Sequence, residues 1–231
     1  MIKIFADGAN IAEILELNKD NKIEGFTTNP TLMKASGIED YTEFAKKVIG
    51  WVDRSKPISF EVIADDLFSI ERQAMEISSW GENVYVKIPI TRTQGEPNYN
   101  LMSNLSSAGI KINATAVMDF DEINMCIDSL NPNVPSIISV FAGRIADTGR
   151  NPELFIKYAA YKKKGKQEIL WASCREVYNY VQADFSGADI ITIPPAIYKK
   201  MKSQWRKPLP LLSLETVQMF YNDAFDSGYK L

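Results

Sequence analysis

The stretch VYVKIPITRTQG, residues 84–95, sets Lys87 in the middle of an apolar run that otherwise reads as a buried strand. An ammonium group is expensive to bury. Inside an apolar fold, loss of hydration favours the neutral amine, whose lone pair attacks a carbonyl carbon, so this placement points to Schiff-base chemistry. Two carboxylates stand at comparable places, Asp7 in FADGAN and Glu61 in ISFEVI. They are the candidates for proton transfer during carbinolamine formation and carbon–carbon bond cleavage. Arg144 and Arg175 each follow a strand-like run, placed to clamp a phosphate bidentately. The chain contains no histidine. Ser-His-Asp and Cys-His nucleophiles are thereby excluded, the commonest ligand of zinc and non-haem iron is missing, and acid–base work falls to Asp, Glu, Lys or Tyr.

Each of these residues has a plainer reading. A lysine in a strand most often snorkels to the surface, and Glu61 could be its partner in a structural ion pair. Asp7 could form a turn, Asn29 before Pro30 could start a helix, and Arg175 could be a solvated first-turn residue. Ser139 and Ser173 mean little alone, and Cys174, with no base partner in view, reads as packing. Their joint placement at successive strand ends favours a site over coincidence.

The frame that must hold them is also written in the pattern. Short β-rich runs at 3–6, 23–28, 58–63, 83–88, 111–117, 136–141, 168–173 and 189–193 alternate with longer amphipathic stretches such as 40–52, 65–80 and 120–130. Such alternation argues for parallel βαβ units, and about eight of them make a TIM barrel. A doubly wound sheet competes, but no GxGxxG or P-loop follows any strand. The expected fold is therefore an α/β, (β/α)8 barrel, a single domain over residues 1–231. Asp65 and Asp119 are expected as helix N-caps, with Asn29-Pro30 and Asn151-Pro152 starting turns or first helical turns. An additional C-terminal helix, about 212–230, either closes the barrel bottom or packs on a neighbouring subunit.

In a βα barrel the chemistry sits where strands end and their βα loops begin. Those positions hold Asp7, Thr27 to Asn29, Glu61, Lys87, Asn113 with Thr115, Ser139 with Arg144, and Ser173 with Arg175. Strand parity adds a check, because Val84, Val86 and Ile88 face one way while Tyr85 and Lys87 face the other. If the aliphatic set packs on the helices, Lys87 enters the barrel. Phe60 and Val62 likewise oppose Glu61, and Ile112 and Ala114 oppose Asn113 and Thr115.

At 231 residues, 45% hydrophobic and 24% charged, the chain has the composition of an ordinary globular protein with no stretch suited to span a bilayer. The net charge is −3, the pI about 5.2, and only Lys162, Lys163 and Lys164 form a basic run, so neither nucleic acid nor a membrane is an expected partner. MIKIFADGAN shows no signal-peptide pattern, so a cytoplasmic location is expected. Cys126 and Cys174 are too few for a disulfide framework or a zinc cage and fit a reduced interior.

The segments FADGAN (5–10), GFTTNPTLM (25–33), VYVKIP (84–89), INATAV (112–117), ISVFAGRIAD (138–147), ASCR (172–175) and ITIPPAI (191–197) resemble, in order and spacing, the signature segments of the transaldolases. The likeness is to the short-chain subgroup that also contains fructose-6-phosphate aldolase, and it runs from residue 2 to about residue 201. The resemblance implies a (β/α)8 class I enzyme with no metal and no organic cofactor, acting on phosphorylated sugars. By position it makes Lys87 the Schiff-base residue at the C2 carbonyl of a ketose phosphate and Asp7 the group that deprotonates the C4 hydroxyl. Glu61 and Thr115 match the pair that holds the catalytic water. Asn29 and Asn113 match residues that bind the dihydroxyacetone moiety, and Thr27 stands beside them. Ser139, Arg144, Ser173 and Arg175 match positions around the phosphate, and Phe141 an aromatic site near the water.

Within that family, aldolase members carry Gln where Glu61 stands and Tyr where Phe141 stands, whereas transaldolases carry Glu and Phe. The resemblance therefore implies transfer of a dihydroxyacetone unit, with a fructose-6-phosphate aldolase or an enzyme of unusual-sugar or polysaccharide biosynthesis as alternatives, and a catalytically silent sugar-phosphate-binding barrel ranked last. It also implies a homo-oligomer, a ring of five or two such rings, with the C-terminal helix reaching a neighbour. Departures from the family pattern are Gly8 for a Ser or Thr, Cys174 for an aromatic, and a longer, more polar loop at 92–100, which bear on sugar specificity because βα loops line the mouth.

Overall fold

A computed structural model describes residues 2–230. Eight parallel strands close in sequence order into a barrel: β1 (Lys3–Asp7), β2 (Ile23–Thr27), β3 (Ile58–Glu61), β4 (Val84–Pro89), β5 (Ile112–Val117), β6 (Ser136–Val140), β7 (Gln167–Trp171) and β8 (Ile190–Ile193). Around them lie α1 (Ile11–Asn18), α2 (Pro30–Ala35), α3 (Tyr41–Trp51), α4 (Leu67–Ser78), α5 (Tyr99–Ser107), α6 (Phe120–Ser129), α7 (Ala142–Asp147), α8 (Glu153–Lys162), α9 (Tyr178–Ser186), α10 (Pro195–Gln204) and α11 (Leu209–Asp226). The (β/α)8 expectation holds.

The alternation along each strand divides the apolar residues into two bodies. The outward set, including Phe60, Val84, Val86, Ile88, Ile112 and Ala114, packs against helix residues such as Ile70, Ala74 and Ile77 to form the main core. Removing each large aliphatic or aromatic chain from water there is worth about 1.5–3 kcal/mol. The inward set, Phe5, Tyr85, Ile137, Leu170, Ala172 and Ile190, fills the barrel itself, with Phe141 packed above it. Glycine at position 25 makes room for this plug, since a Cβ there would lie 2.6 Å from the Phe5 ring. Lys87, Glu61 and Asn113 share the inward parity.

Helix starts follow their capping chemistry. Asn29 accepts from Leu32 N with Pro30 in the first turn of α2, and Asp119 makes a capping box with Glu122 at the start of α6. Asn151 accepts from Glu153 N at the start of α8. One expected cap is displaced: Asp66, not Asp65, caps α4. The Asp65 carboxylate is instead taken by the backbone N–H and hydroxyl of Thr93, which ties the β3–α4 loop to the β4–α5 loop. That second loop is a folded turn: Thr91 bridges Pro97, Arg92 N–H donates to the Glu96 carbonyl, and the last of the expected loop residues, Tyr99 and Asn100, already belong to α5.

Several strands end one or two residues before their β-rich sequence does, because the chain must turn out of the barrel at its mouth. The expected strand at 168–173 stops at Trp171, and Ser173 has φ of 64°, a left-handed conformation. The C-terminal helix starts three residues earlier than expected, at Leu209, and none of its residues is buried. It does not close the barrel bottom as one expectation had it. Among the described residues no helix is long and apolar enough to cross a membrane.

Candidate active site

Register places the chemistry before any side chain is considered. At the carboxyl ends of the strands Asp7 pairs with Thr27, Glu61 with Lys87, and Lys87 with Asn113. Neighbouring residues in register on parallel strands point to the same side, so these five face inward together. They lie above the apolar plug, around a cavity of about 130 Å³ lined by Asp7, Thr27, Asn29, Lys87, Ser139, Phe141, Arg144, Ser173, Arg175 and Thr192, with Leu170 and Ala172 beneath.

Lys87 is 6% exposed. Its Nζ lies 2.9 Å from Glu61 Oε2 and donates to the Thr28 carbonyl at 3.1 Å. The lysine is thus buried with a partner, which meets the cost of placing an ammonium there and leaves its tip beside the cavity. The ion pair foreseen as the plainer reading of Glu61 exists, and it stands within the same site. Tyr41 donates to the Glu61 backbone carbonyl at 2.7 Å, fixing the end of β3.

Asp7 receives the Thr27 hydroxyl at 2.9 Å. Burial pushes its carboxyl above the ordinary carboxylate range, against the pull of Lys87 and the Thr27 hydrogen bond, with a smaller push from Glu61. A carboxylate held in this way takes up a proton more readily than a solvated one. Cys174 is also buried, and its thiol is pushed up to about 12, so it is no nucleophile at neutral pH and packs as expected.

Asn113 is fully buried and joins two serines: its amide donates to Ser59 Oγ at 3.0 Å, and its carbonyl oxygen accepts from Ser139 at 2.7 Å. The Ser139 proton is therefore committed to Asn113 and must rotate away before it can serve an anion. Thr115 shows the opposite condition. Its hydroxyl oxygen is buried with no partner among the described residues. A residue at φ 64°, Ala116, follows it, within the irregularity that shifts the β5–β6 register between Ala114 and Val117.

The cationic side is built by two βα loops that touch. A Cβ on Gly143 would lie 1.7 Å from the Ser173 carbonyl oxygen, so only glycine allows the start of α7 to meet the left-handed turn after β7. Arg144 rides above the Phe141 ring, 5.9 Å from its centroid. Arg175 reaches from the other loop and pairs with Asp147 at 2.8 Å. Both guanidinium groups line one wall of the cavity.

Of the residues singled out by the sequence, nine line the cavity, while Glu61, Asn113 and Thr115 stand behind it, the first two bonded to lining residues. Thr192 was missed. It lies at the inward parity of β8, opposite Ile191 and Ile193, which join the outer core, so the same alternation that found Lys87 could have found it. The described residues include no group of His, Cys, Asp or Glu arranged to hold a metal.

A parallel (β/α)8 barrel with a buried lysine, two carboxylates and two arginines at its carboxyl-end mouth is the class of molecule these observations define. The sequence profile described as Transaldolase/Fructose-6-phosphate aldolase matches residues 4–230, and the chain belongs to that family. A relative from Methanococcus maripaludis, named a probable transaldolase, is 34% identical over 205 residues, covering 87% of this chain and 89% of its own. Another of the same name, from Brucella anthropi, is 32% identical over 235 residues and covers both chains completely. Among solved structures, an orotidine 5'-phosphate decarboxylase from Pyrococcus horikoshii superposes with a TM-score of 0.55 at 17% identity, over 86% of this chain and 91% of that one, a likeness of fold alone.

Proposed function

We propose that the protein is a transaldolase, which moves a dihydroxyacetone unit from a ketose phosphate such as fructose 6-phosphate or sedoheptulose 7-phosphate to an aldose phosphate by way of a Schiff base on Lys87. The observation that carries the reading is the pairing of the buried, cavity-lining Lys87 with the half-buried Glu61 behind it, 2.9 Å apart. A proton passed along that contact leaves Nζ neutral, and its lone pair adds to the ketose C2 carbonyl. Loss of the resulting hydroxyl as water gives the iminium. In this reading Glu61 and the Thr115 hydroxyl, which has no partner among the described residues, hold the departing water, and Glu61 returns the proton to it.

Asp7, on the neighbouring side of the cavity, then takes the C4 hydroxyl proton. The C3–C4 bond breaks, its electron pair flows into the iminium, and an aldose phosphate leaves. A neutral enamine remains on Lys87. It persists until an acceptor aldehyde arrives only if protonation at carbon is slow, and the apolar Phe141 with an ionised Glu61 offers few protons for that. Asn29 and Asn113 would hold the three-carbon unit, and Thr27 would orient Asp7. Arg144 and Arg175, with Ser139 and Ser173, would hold the phosphate through charge-assisted hydrogen bonds. No cofactor enters this scheme.

Borohydride trapping with fructose 6-phosphate, followed by peptide mass analysis, tests it. The expected result is a reduced three-carbon adduct on the peptide holding Lys87, absent in Lys87→Met. Turnover should require erythrose 4-phosphate or a similar acceptor; equal release of glyceraldehyde 3-phosphate without one would make the protein an aldolase instead. Binding of the sugar phosphate with no adduct would leave only a binding site.

The same reading includes a homo-oligomer, a pentamer or decamer. Its support is α11, which buries none of its residues and exposes Leu209, Val217, Phe220 and Phe225 by 60% or more. Light scattering should give a multiple of five times 26.0 kDa, and a monomer at micromolar concentration would remove the proposal.

A further inference from the structure

Thr192 and Thr27 sit on β8 and β2, the two strands that flank β1, and meet across its inward side next to Asp7. Their hydroxyl oxygens are 2.5 Å apart, and both residues are buried. A hydroxyl carries one proton. Thr27 gives its own to Asp7 Oδ1 at 2.9 Å, so the contact with Thr192 must be made by the Thr192 proton. The result is a directed chain from Thr192 to Thr27 to the carboxylate. Bonds in such a chain polarise one another, so the last donor is stronger for having a donor behind it.

The charged groups facing Asp7 are Lys87 from β4 and Glu61 from β3; the Cys174 thiol stands nearby, and Arg144 and Arg175 line the same cavity. None of these contacts Thr27 or Thr192 through a hydrogen bond among the described residues. The hydroxyl pair is therefore a separate influence on Asp7, delivered on its own side of β1 from the flanking strands β2 and β8.

We propose that Thr192 is a positioning residue that acts through Thr27 to stabilise the ionised form of Asp7, and that the chain reverses when Asp7 takes up a proton. In the reversed state Asp7 donates to Thr27, Thr27 to Thr192, and Thr192 into the cavity. One proton is gained at Asp7 and each hydroxyl keeps its own, so only the direction of the O–H bonds turns over. The inference rests on reading Asp7 as the group that takes the C4 hydroxyl proton, and it adds a residue that acts on that step through Thr27.

The test is a carbon-13 NMR titration of the protein labelled at its aspartate carboxyls, the Asp7 signal being assigned by its loss in Asp7→Asn. Thr192→Val keeps the shape and removes the hydroxyl; the Asp7 midpoint should rise by about half a pH unit, and the acid limb of kcat/KM should move with it. Thr192→Ser should titrate like the parent. If the Val variant does not fold, Thr192→Ala gives the same readout. An unmoved midpoint, or a Ser variant that shifts as far as Val, would overturn the proposal and leave Thr192 as cavity wall. A midpoint that moves while the acid limb stays put would uphold the positioning role and instead remove Asp7 from proton transfer, which separates the two ideas.

Discussion

Phe5 and Asp7 are two residues apart on β1, as Tyr85 and Lys87 are on β4, and the four side chains all enter the barrel. The first of each pair lies in an apolar floor with Ile137, Leu170 and Ile190. The second lies at the mouth, one layer up, among charges. The same strands carry both layers, and the layers differ in the solvent their side chains meet. The floor keeps water out from below, which makes every charge in the mouth feel its neighbours more strongly and raises the cost of any polar group left alone.

The mouth shows that cost. Of the three non-glycine residues at positive φ among the described residues, Ala116 and Ser173 lie there and the third, Arg206, lies outside the barrel. Each left-handed residue costs about 1–2 kcal/mol. Asp7 is desolvated, and the Thr115 hydroxyl has no partner among the described residues. The floor residues Phe5, Ile137, Leu170 and Ile190 bring no polar side-chain atom. Stability belongs to the lower layer and is partly given up in the upper one, where the groups are held ready for a ligand.

If that division is right, Lys87→Met should remove turnover, by more than about 1,000-fold, while the circular dichroism spectrum stays that of the folded barrel. Phe5→Ala should do the reverse: truncating a fully buried aromatic costs about 3–5 kcal/mol in denaturant unfolding, with kcat changed less than tenfold at a temperature where the variant is folded. A large loss of kcat with little loss of stability would mean that the floor shapes the chemistry directly. Gly143→Ala should act on the cationic wall of the mouth, where the start of α7 meets the turn after β7. Its Cβ must displace the Ser173 carbonyl, so KM for a sugar phosphate should rise by about tenfold with a smaller change in kcat. An equal rise in KM for non-phosphorylated acceptors would argue against a phosphate role for that loop pair.

A smaller effect is expected in stability from Asp7→Asn. The folded protein raises the proton affinity of Asp7 above that in the unfolded chain, so between the unfolded and folded values the native state binds more protons and stability falls as pH rises. Above the folded value the penalty is fully present, and below the unfolded one it is absent. Asp7→Asn should therefore unfold at a higher temperature than the parent near neutral pH, with the gap closing in acid, and with activity lost throughout. A lower melting temperature at neutral pH would show that the attraction between Asp7 and Lys87 outweighs the desolvation.

Much of this was legible beforehand because it is local. Alternation of period two told which side of β4 Lys87 occupies, and Asn29-Pro30 with Asp119 announced helix starts through short-range hydrogen bonds. What was misread depended on distant partners. Asp65 has the chemistry of a cap, yet Thr93 holds it from another loop, and nothing near residue 173 says that Gly143 will press against it. The pairing of Arg175 with Asp147 was not visible in the sequence, and Thr192 drew no attention because its partner Thr27 is 165 residues away.

The sequence alone determined the barrel, the inward parity of its lysine and carboxylates, and the exclusion of histidine chemistry, since these follow from residue type and backbone period. Only the closed structure decided that Lys87 meets Glu61, that Thr115 is left without a partner, and that Thr192 stands behind Thr27 and Asp7. Closure of eight staggered strands brings β8 beside β1, and the approach of Thr192 on β8 to Thr27 on β2 to within hydrogen-bond distance across β1 is a property of that closure and of no single segment.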